Sequence, residues 1–265
     1  MPAPIALQLY TVRELAAKDY EGVVRKVAEL GYVGVEPAGF PGTTVEKAAA
    51  LFKSLGLEVS SAHLPMPIGD KKNEAIEAAA KLGCKKIVSG FGPDKFATAE
   101  LIKQTCDVLN EAAANATAAG LTFCMHNHWW EFSLLAGSDK RVYEIMLQHL
   151  TPQVCFQVDT YWVKTGGADP AAVIKQLGKR APLLHMKDGP AVKDQPMTAV
   201  GDGILDWPAI TKAGAKTAEW HIVELDRCAT DMMEAVAKSY AFLVGKKLSR
   251  GKKAVAAAKC GCCCR

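Results

Sequence analysis

Eight short apolar runs, each followed by an amphipathic stretch, succeed one another along the chain. The runs are 5-IALQLY-10, 33-VGVEP-37, 57-LEVSSAH-63, 86-KIVSG-90, 121-LTFCMHN-127, 154-VCFQVD-159, 182-PLLHMKD-188 and 220-WHIVELD-226. Between and after them, helices are predicted near 19–30, 43–55, 70–82, 97–119, 139–149, 169–178, 206–217 and 229–245. Several end on a glycine suited to a C-cap: Gly31, Gly56, Gly83, Gly120 and Gly178. Near-continuous apolar strands alternating with helices imply a parallel sheet covered on its outer face. Eight such units in about 245 residues fit a single-domain α/β fold, the (β/α)8 TIM barrel, better than an open doubly wound sheet. No GxGxxG or GxxxxGK[ST] motif follows the first strand, which removes the usual nucleotide-binding reading of an open sheet.

Charge divides the chain in two. Residues 246–265 hold seven Lys or Arg (246, 247, 250, 252, 253, 259 and 265) and no acid, so removing them from a formal net charge of +4 leaves a body of −3. A mildly acidic body lacks the basic face of a phosphate-backbone binder. The expected domains are therefore a catalytic barrel over 1–245 and a basic, Cys-rich, disordered tail over 246–265. Of nine cysteines, Cys84, Cys106, Cys124, Cys155 and Cys228 are scattered singly and read as reduced, buried, small hydrophobes. The others crowd into 260-CGCCCR-265, where the Cys260–Cys263 CxxC is a weak metal signal without a second pair. No secretory h-region or membrane-length apolar run is present, and a soluble cytoplasmic protein is expected.

A barrel of this kind builds its active site at the carboxyl ends of its strands. Those ends carry Gln8 and Tyr10, Glu36, His63, His126 to His128, Asp159, His185 with Lys187 and Asp188, and Glu224 with Asp226. Carboxylates and imidazoles converging without a surplus of positive charge would repel one another unless a cation lay among them, and a divalent metal is the economical explanation. Asp159, His185 and Glu224 are the strongest ligand candidates. Their mixed N and O donors suit Mn²⁺, Co²⁺, Fe²⁺ or Zn²⁺ rather than an oxygen cage for Ca²⁺. The fifth barrel strand should supply a fourth ligand from 123-FCMHNHWWEF-132. Strand periodicity favours His126, which shares a face with Cys124 and His128; charge favours Glu131, which is preferred because a third carboxylate would neutralise the ion. The residue not used as ligand is expected to bind substrate or transfer a proton.

The segments 7-LQLYTVR-13, 31-GYVGVE-36, 126-HNHWWEF-132, 158-VDTYW-162, 184-LHMKDG-189, 200-VGDGILDW-207 and 222-IVELD-226 together resemble the xylose isomerase-like TIM-barrel superfamily, and within it the sugar phosphate isomerases/epimerases. The resemblance implies one Mn²⁺-like ion, with Co²⁺, Zn²⁺, Fe²⁺ or Mg²⁺ as alternatives, held by a Glu, Asp, His, Glu set. Asp159, His185 and Glu224 take three of those positions, and Glu131 is set beside them as the fourth. It further implies that the ion grips adjacent carbonyl and hydroxyl oxygens of a ketose while carboxylates move a proton through an enediolate.

Two positions depart from the ketose 3-epimerase pattern. His126-Asn127-His128 stands where those enzymes end the fifth strand in Glu, and Trp162 stands where they have His. The His-Asn-His variant resembles the branch with inosose dehydratase-like and 3-keto-glycoside-processing enzymes, in which an imidazole serves as acid or base. The expected activity is thus sugar isomerisation or epimerisation, with a lyase or dehydratase as the alternative. An endonuclease IV-like hydrolase or a non-catalytic sugar binder is disfavoured. Glu131, Glu224, His126 and His128 are the expected catalytic residues; Glu36, His63, Trp162 and Lys187 are the expected substrate contacts. A small-molecule sugar is the expected partner, with no nucleic acid or membrane, and a homodimer is left open. The loop 200–207 is given shape only, with Asp206 as N-cap and Pro208 at the first position of the helix that follows.

Overall fold

In the computed structural model, which describes residues 1–252, the eight strand-helix units wind into a nearly closed barrel of parallel strands sheathed by helices. The strands are β1 (Ile5–Gln8), β2 (Gly34–Glu36), β3 (Glu58–Val59), β4 (Ala62–His63), β5 (Lys86–Ser89), β6 (Thr122–His126), β7 (Cys155–Asp159), β8 (Leu183–Met186) and β9 (Trp220–Val223). Their order in the sheet is β3-β2-β1-β9-β8-β7-β6-β5-β4.

The two ends of that order, β3 and β4, are halves of the third barrel strand, predicted as one run. β3 registers on β2 and β4 on β5, with Ser60 and Ser61 between them. Serine hydroxyls compete for backbone partners, and here Ser60 Oγ donates to Val35 O while Ser61 Oγ donates to the Glu36 carboxylate. Backbone bonds from Ser60 N to Val35 O (3.1 Å) and from His63 N to Pro37 O (2.9 Å) carry the closure across the interruption.

The eight predicted helices form at Tyr20–Leu30, Val45–Ser54, Lys71–Leu82, Ala99–Ala118, Val142–His149, Pro170–Leu177, Trp207–Gly214 and Met232–Gly245. Side chains of Asp19, Thr44, Thr98, Asp169, Asp206 and Asp231 accept first-turn N–H groups, each cap contributing about 1 kcal/mol. Gly31 and Gly83 end their helices at φ of 106° and 66°, a region that costs any residue with a Cβ. Trp207 opens its helix ahead of Pro208, so the proline stands second rather than first. A short extra helix, Thr160–Thr165, follows β7 directly and helps to fix the site.

Alternate strand residues point into the barrel. Toward the amino ends that interior is apolar, with Ala6, Val88, Cys124, Leu183, Trp220 and Ile222 in one buried cluster. The Trp220 ring fits the floor because residue 34 is glycine: a Cβ there would lie 3.0 Å from the indole and 2.6 Å from Glu58 O. Toward the carboxyl ends the inward positions carry Gln8, Glu36, His126, Gln157, Asp159 and His185, all buried. The floor therefore supplies packing, and the upper interior supplies polar chemistry.

Residues 246–252, assigned by composition to the tail, belong instead to the barrel floor. Ile5 N donates to Arg250 O and Arg250 N to Ala3 O, both at 2.9 Å, while Lys252 N reaches Gly31 O at 2.8 Å. Ser249 is buried with its hydroxyl 2.8 Å from His221 Nδ1. Charge marked this stretch as solvated, but its backbone hydrogen bonds join it to the start of β1 and to the glycine that ends the helix before β2. The rest of the expected tail, including Cys260 and Cys263, lies outside the described residues. Among the described residues, Cys84, Cys106 and Cys124 are buried free thiols, and no helix is long and apolar enough to cross a membrane.

Candidate active site

Strand register brings four side chains together at the carboxyl ends of β6 to β9. His126 ends β6, Asp159 ends β7 opposite His185 of β8, and Glu224 follows β9. One ligand atom from each of the four lies within 4.8 Å of the others, and all four residues are buried. His185 Nδ1 is 2.6 Å from Glu224 Oε2 and 4.0 Å from Asp159 Oδ2, and His126 Nε2 is 3.9 Å from Asp159 Oδ2. Among the described residues, His185 Nδ1, Asp159 Oδ2 and Glu224 Oε2 make no well-directed hydrogen bond, and the two carboxylate oxygens meet the Lys187 ammonium only as ion pairs. Buried polar atoms nearly always have partners. Three that converge with ion-pair contacts alone fit a shared cation, and two imidazoles with two carboxylates suit a transition-metal dication.

The opposite sides of these residues are tied to the barrel. Asp159 Oδ1 accepts the Trp162 N–H at 3.0 Å, capping Thr160–Thr165, and Asn127 Oδ1 accepts the Asp159 N–H at 2.9 Å. Glu36 orients both imidazoles. Its carboxylate can only accept, so Gln157 Nε2 donates to it and turns Gln157 Oε1 toward His126 Nδ1 and His63 Nε2, each at 2.9 Å. His126 Nδ1 therefore carries the proton, leaving the Nε2 lone pair toward Asp159. Likewise His185 Nε2 donates to Glu36 Oε1 at 2.7 Å, directing Nδ1 into the cluster. Burial disfavours the imidazolium of His185, yet Glu224 and Glu36 outweigh it and hold its pKa up to about 10, so a cation there competes with a proton for Nδ1. Burial alone would raise the Glu36 pKa, but His63 and His185 hold it well below the usual carboxylate range.

Lys187 adds one ammonium to this carboxylate-rich cluster. Its side chain is 1% exposed, with Nζ 3.0 Å from Asp159 Oδ2 and 2.9 Å from Glu224 Oε2. Nζ also donates to both Asp226 oxygens at 3.0 Å. Burial opposes its charge, but Asp159, Glu224 and Asp226 keep its pKa well above the ordinary value.

Glu131, expected as the fourth ligand, stands outside the convergent set. After β6 the chain turns through Trp130–Phe132, and Glu131 Oε2 accepts the His128 N–H at 2.8 Å, bracing the turn from behind. Burial pushes its pKa up to about 8. His126 occupies the place in the cluster that charge reasoning gave to Glu131. His128 stacks on Trp130 with ring centres 4.1 Å apart, its Nδ1 has no hydrogen-bond partner among the described residues, and burial followed by Lys187 pulls its pKa down to about 3.

A cavity of about 500 Å³ opens over the cluster, within the range of small-ligand sites. His63, His126, His128, Lys187 and Glu224 face it, and Trp129, Trp130 and Trp162 give it apolar walls. Glu36, expected as a substrate contact, is not on that wall; it is fully buried and its oxygens serve Gln8, Ser61, Gln157 and His185. Gln157 was not singled out in the sequence, and Asn127 was named only within His126-Asn127-His128, without a role of its own. Gln157 could have been found two residues before Asp159 on the same inward face. Asn127 faces outward, and no period marks its tie to the next strand. Asp188 accepts N–H groups of Gly189, Gly201, Leu205 and the Trp207 indole, and so shapes the 200–207 loop.

Residues 24–243 match the family model described as xylose isomerase-like TIM barrel. Among solved structures, a sugar phosphate isomerase/epimerase from Parabacteroides distasonis ATCC 8503 superposes with a TM-score of 0.78 at 24% identity, covering 94% of this chain and 96% of that one. The IOLI protein with a binding zinc atom gives a TM-score of 0.68 at 17% identity over 92% and 98% of the two chains. The probable 3-DHS dehydratase AsbF of petrobactin synthesis from Bacillus anthracis gives 0.69 at 14% identity, again over 92% and 98%. At these identities the likeness to solved structures shows the fold. A search of curated proteins found no match.

Proposed function

The chain belongs to the xylose isomerase-like TIM-barrel family, and from that premise we propose that it is a metal-dependent sugar isomerase or epimerase, moving a proton in a ketose or keto-sugar through an enediolate. The observation that carries the reading is the convergence of His126, Asp159, His185 and Glu224 ligand atoms within 4.8 Å beneath a cavity of about 500 Å³. The names of the superposed Parabacteroides protein and of the zinc-binding one support it. Bound among these four residues, a divalent ion, with Mn²⁺ first in order, supplies Lewis acidity to neighbouring carbonyl and hydroxyl oxygens.

The chain supplies the rest. Glu224 directs Oε2 to the cluster and lines the cavity, leaving Oε1 as the base for the adjacent carbon acid. His128, neutral because burial holds its pKa down to about 3, hydrogen-bonds a sugar hydroxyl and relays its proton. Lys187 places an ammonium beside the oxygen on which charge develops. The Trp129, Trp130 and Trp162 faces pack on the C–H face of the ring and exclude water.

One observation favours a second reading, a metal-dependent lyase or dehydratase. The end of β6 presents imidazoles to the cavity rather than a carboxylate, and a His there can protonate a leaving oxygen. The superposition on a protein described as a probable dehydratase is compatible with it. The test is incubation of Mn²⁺-loaded protein with ketoses, inososes and 3-keto-glycosides in D₂O, followed by NMR. Deuterium in recovered sugar together with a new epimer or isomer supports the first reading. An unsaturated or ring-opened product assigns the second, and no turnover of any class overturns both.

A further inference from the structure

Lys187 lies against the same two oxygens that converge with His185 Nδ1: Asp159 Oδ2 at 3.0 Å and Glu224 Oε2 at 2.9 Å. An ion bonded to those oxygens at roughly 2.1 Å would lie no more than about 5 Å from the ammonium, a range at which two cations in a buried site repel strongly. Lys187 and a metal therefore draw on one pair of carboxylates. Lys187 also has a carboxylate outside the convergent set. Asp226 accepts from Nζ through both oxygens at 3.0 Å, while its own backbone O accepts from Arg13 Nη2 at 2.9 Å, which fixes the strand end that carries it. Asp226 lines the cavity, and the Trp162 ring centre lies 5.5 Å from Nζ on the cavity wall.

We propose that Lys187 is a built-in competitor that lowers the metal affinity of the cluster, and that Asp226 is the positioning residue that draws its ammonium off Asp159 and Glu224 toward the cavity. The inference rests on the metal reading above. It makes opposite predictions for two neighbouring residues. Removing the ammonium should tighten metal binding. Removing the Asp226 charge should weaken it, because Lys187 then leans fully on the two ligands.

The test is Mn²⁺ and Zn²⁺ titration of the full chain by calorimetry, with folding of each variant checked by circular dichroism. Lys187→Met is expected to bind at least about tenfold tighter than wild type, and Asp226→Asn about tenfold weaker. In the Lys187→Met background, Asp226→Asn should change Kd by less than about threefold, since its effect runs through the missing ammonium. Asp226→Glu should restore binding to within about threefold of wild type. Lys187→Met that binds no tighter overturns the competitor role. Asp226→Asn that weakens binding equally in both backgrounds overturns the positioning role, because the carboxylate then acts on the ion directly. Should Lys187→Met fail to fold, Lys187→Gln replaces it; should both fail, an Asp226→Asn loss that Asp226→Glu does not rescue overturns the proposal. Wild-type protein that binds neither ion overturns the metal reading and this inference together, whereas wild type that binds while the variants keep its Kd overturns this inference alone.

Discussion

Asn127 is tied twice to Asp159: its side-chain oxygen accepts the Asp159 N–H at 2.9 Å, and its amide donates to Asp159 O at 3.3 Å. The pair locks the end of β6 to the end of β7, the two strands that deliver His126 and Asp159. Replacement of Asn127 by Ala leaves a buried backbone N–H without an acceptor, a loss of about 1–3 kcal/mol. Urea unfolding should show that loss, and Mn²⁺ titration of the folded variant should show weaker binding, because Asp159 is no longer held in register.

Glu36 sets the orientation of both imidazoles of the cluster, directly at His185 and through Gln157 at His126. Glu36→Gln puts an amide donor on one of the two oxygen positions, where either Gln8 and His185 or Ser61 and Gln157 require an acceptor. Loss of such an orienting partner lowers metal affinity by roughly 10- to 100-fold. Calorimetric Mn²⁺ titration should find that weakening in Glu36→Gln while circular dichroism shows the fold retained.

The fold was legible where periodicity spoke. Eight alternations announced the barrel, and His126, Asp159, His185 and Glu224 all appeared among the polar residues that end strands. What periodicity cannot report is where a chain turns after a strand. Glu131 was favoured because a third carboxylate would neutralise the ion, but the turn at Trp130–Phe132 commits it to the His128 N–H instead. Glu36 looked like a substrate contact because it ends a strand, while its engagement by four neighbours depends on side chains from separate strands and one loop. Ser60 and Ser61 split the third strand through side-chain hydrogen bonds that an apolar pattern does not register. Residues 246–252 read as tail by charge, yet what holds them is backbone hydrogen bonding, to which composition is blind.

On the barrel floor, burial pulls the His221 pKa down to about 4. The folded protein thus favours the neutral imidazole more than the unfolded chain does, whose histidine titrates near 6.5. The resulting stabilisation is complete above about pH 6.5 and is lost as pH falls toward 4, about 3 kcal/mol in all. Chemical denaturation from pH 7.5 to 4.5 should show a shallower decline for His221→Asn than for wild type.

Asp188 gathers three backbone N–H groups and the Trp207 indole on one carboxylate. Its replacement by Ala strands several buried donors, at a cost of about 3 kcal/mol or more. Thermal melts should fall accordingly, and limited proteolysis should cut first within 200–207.

In the proposed metal centre His126, with Asp159, His185 and Glu224, holds the ion, and Glu131 braces the loop behind it. Metal content by elemental analysis of purified wild type, His126→Gln and Glu131→Gln tests it most directly. Wild type should retain about one divalent ion per chain, as expected of four protein ligands. Glu131→Gln, which keeps an acceptor for the His128 N–H, should match wild type, and His126→Gln should fall below about a tenth of it. A Glu131→Gln protein stripped of metal beside a fully loaded His126→Gln protein would make Glu131, not His126, the fourth ligand.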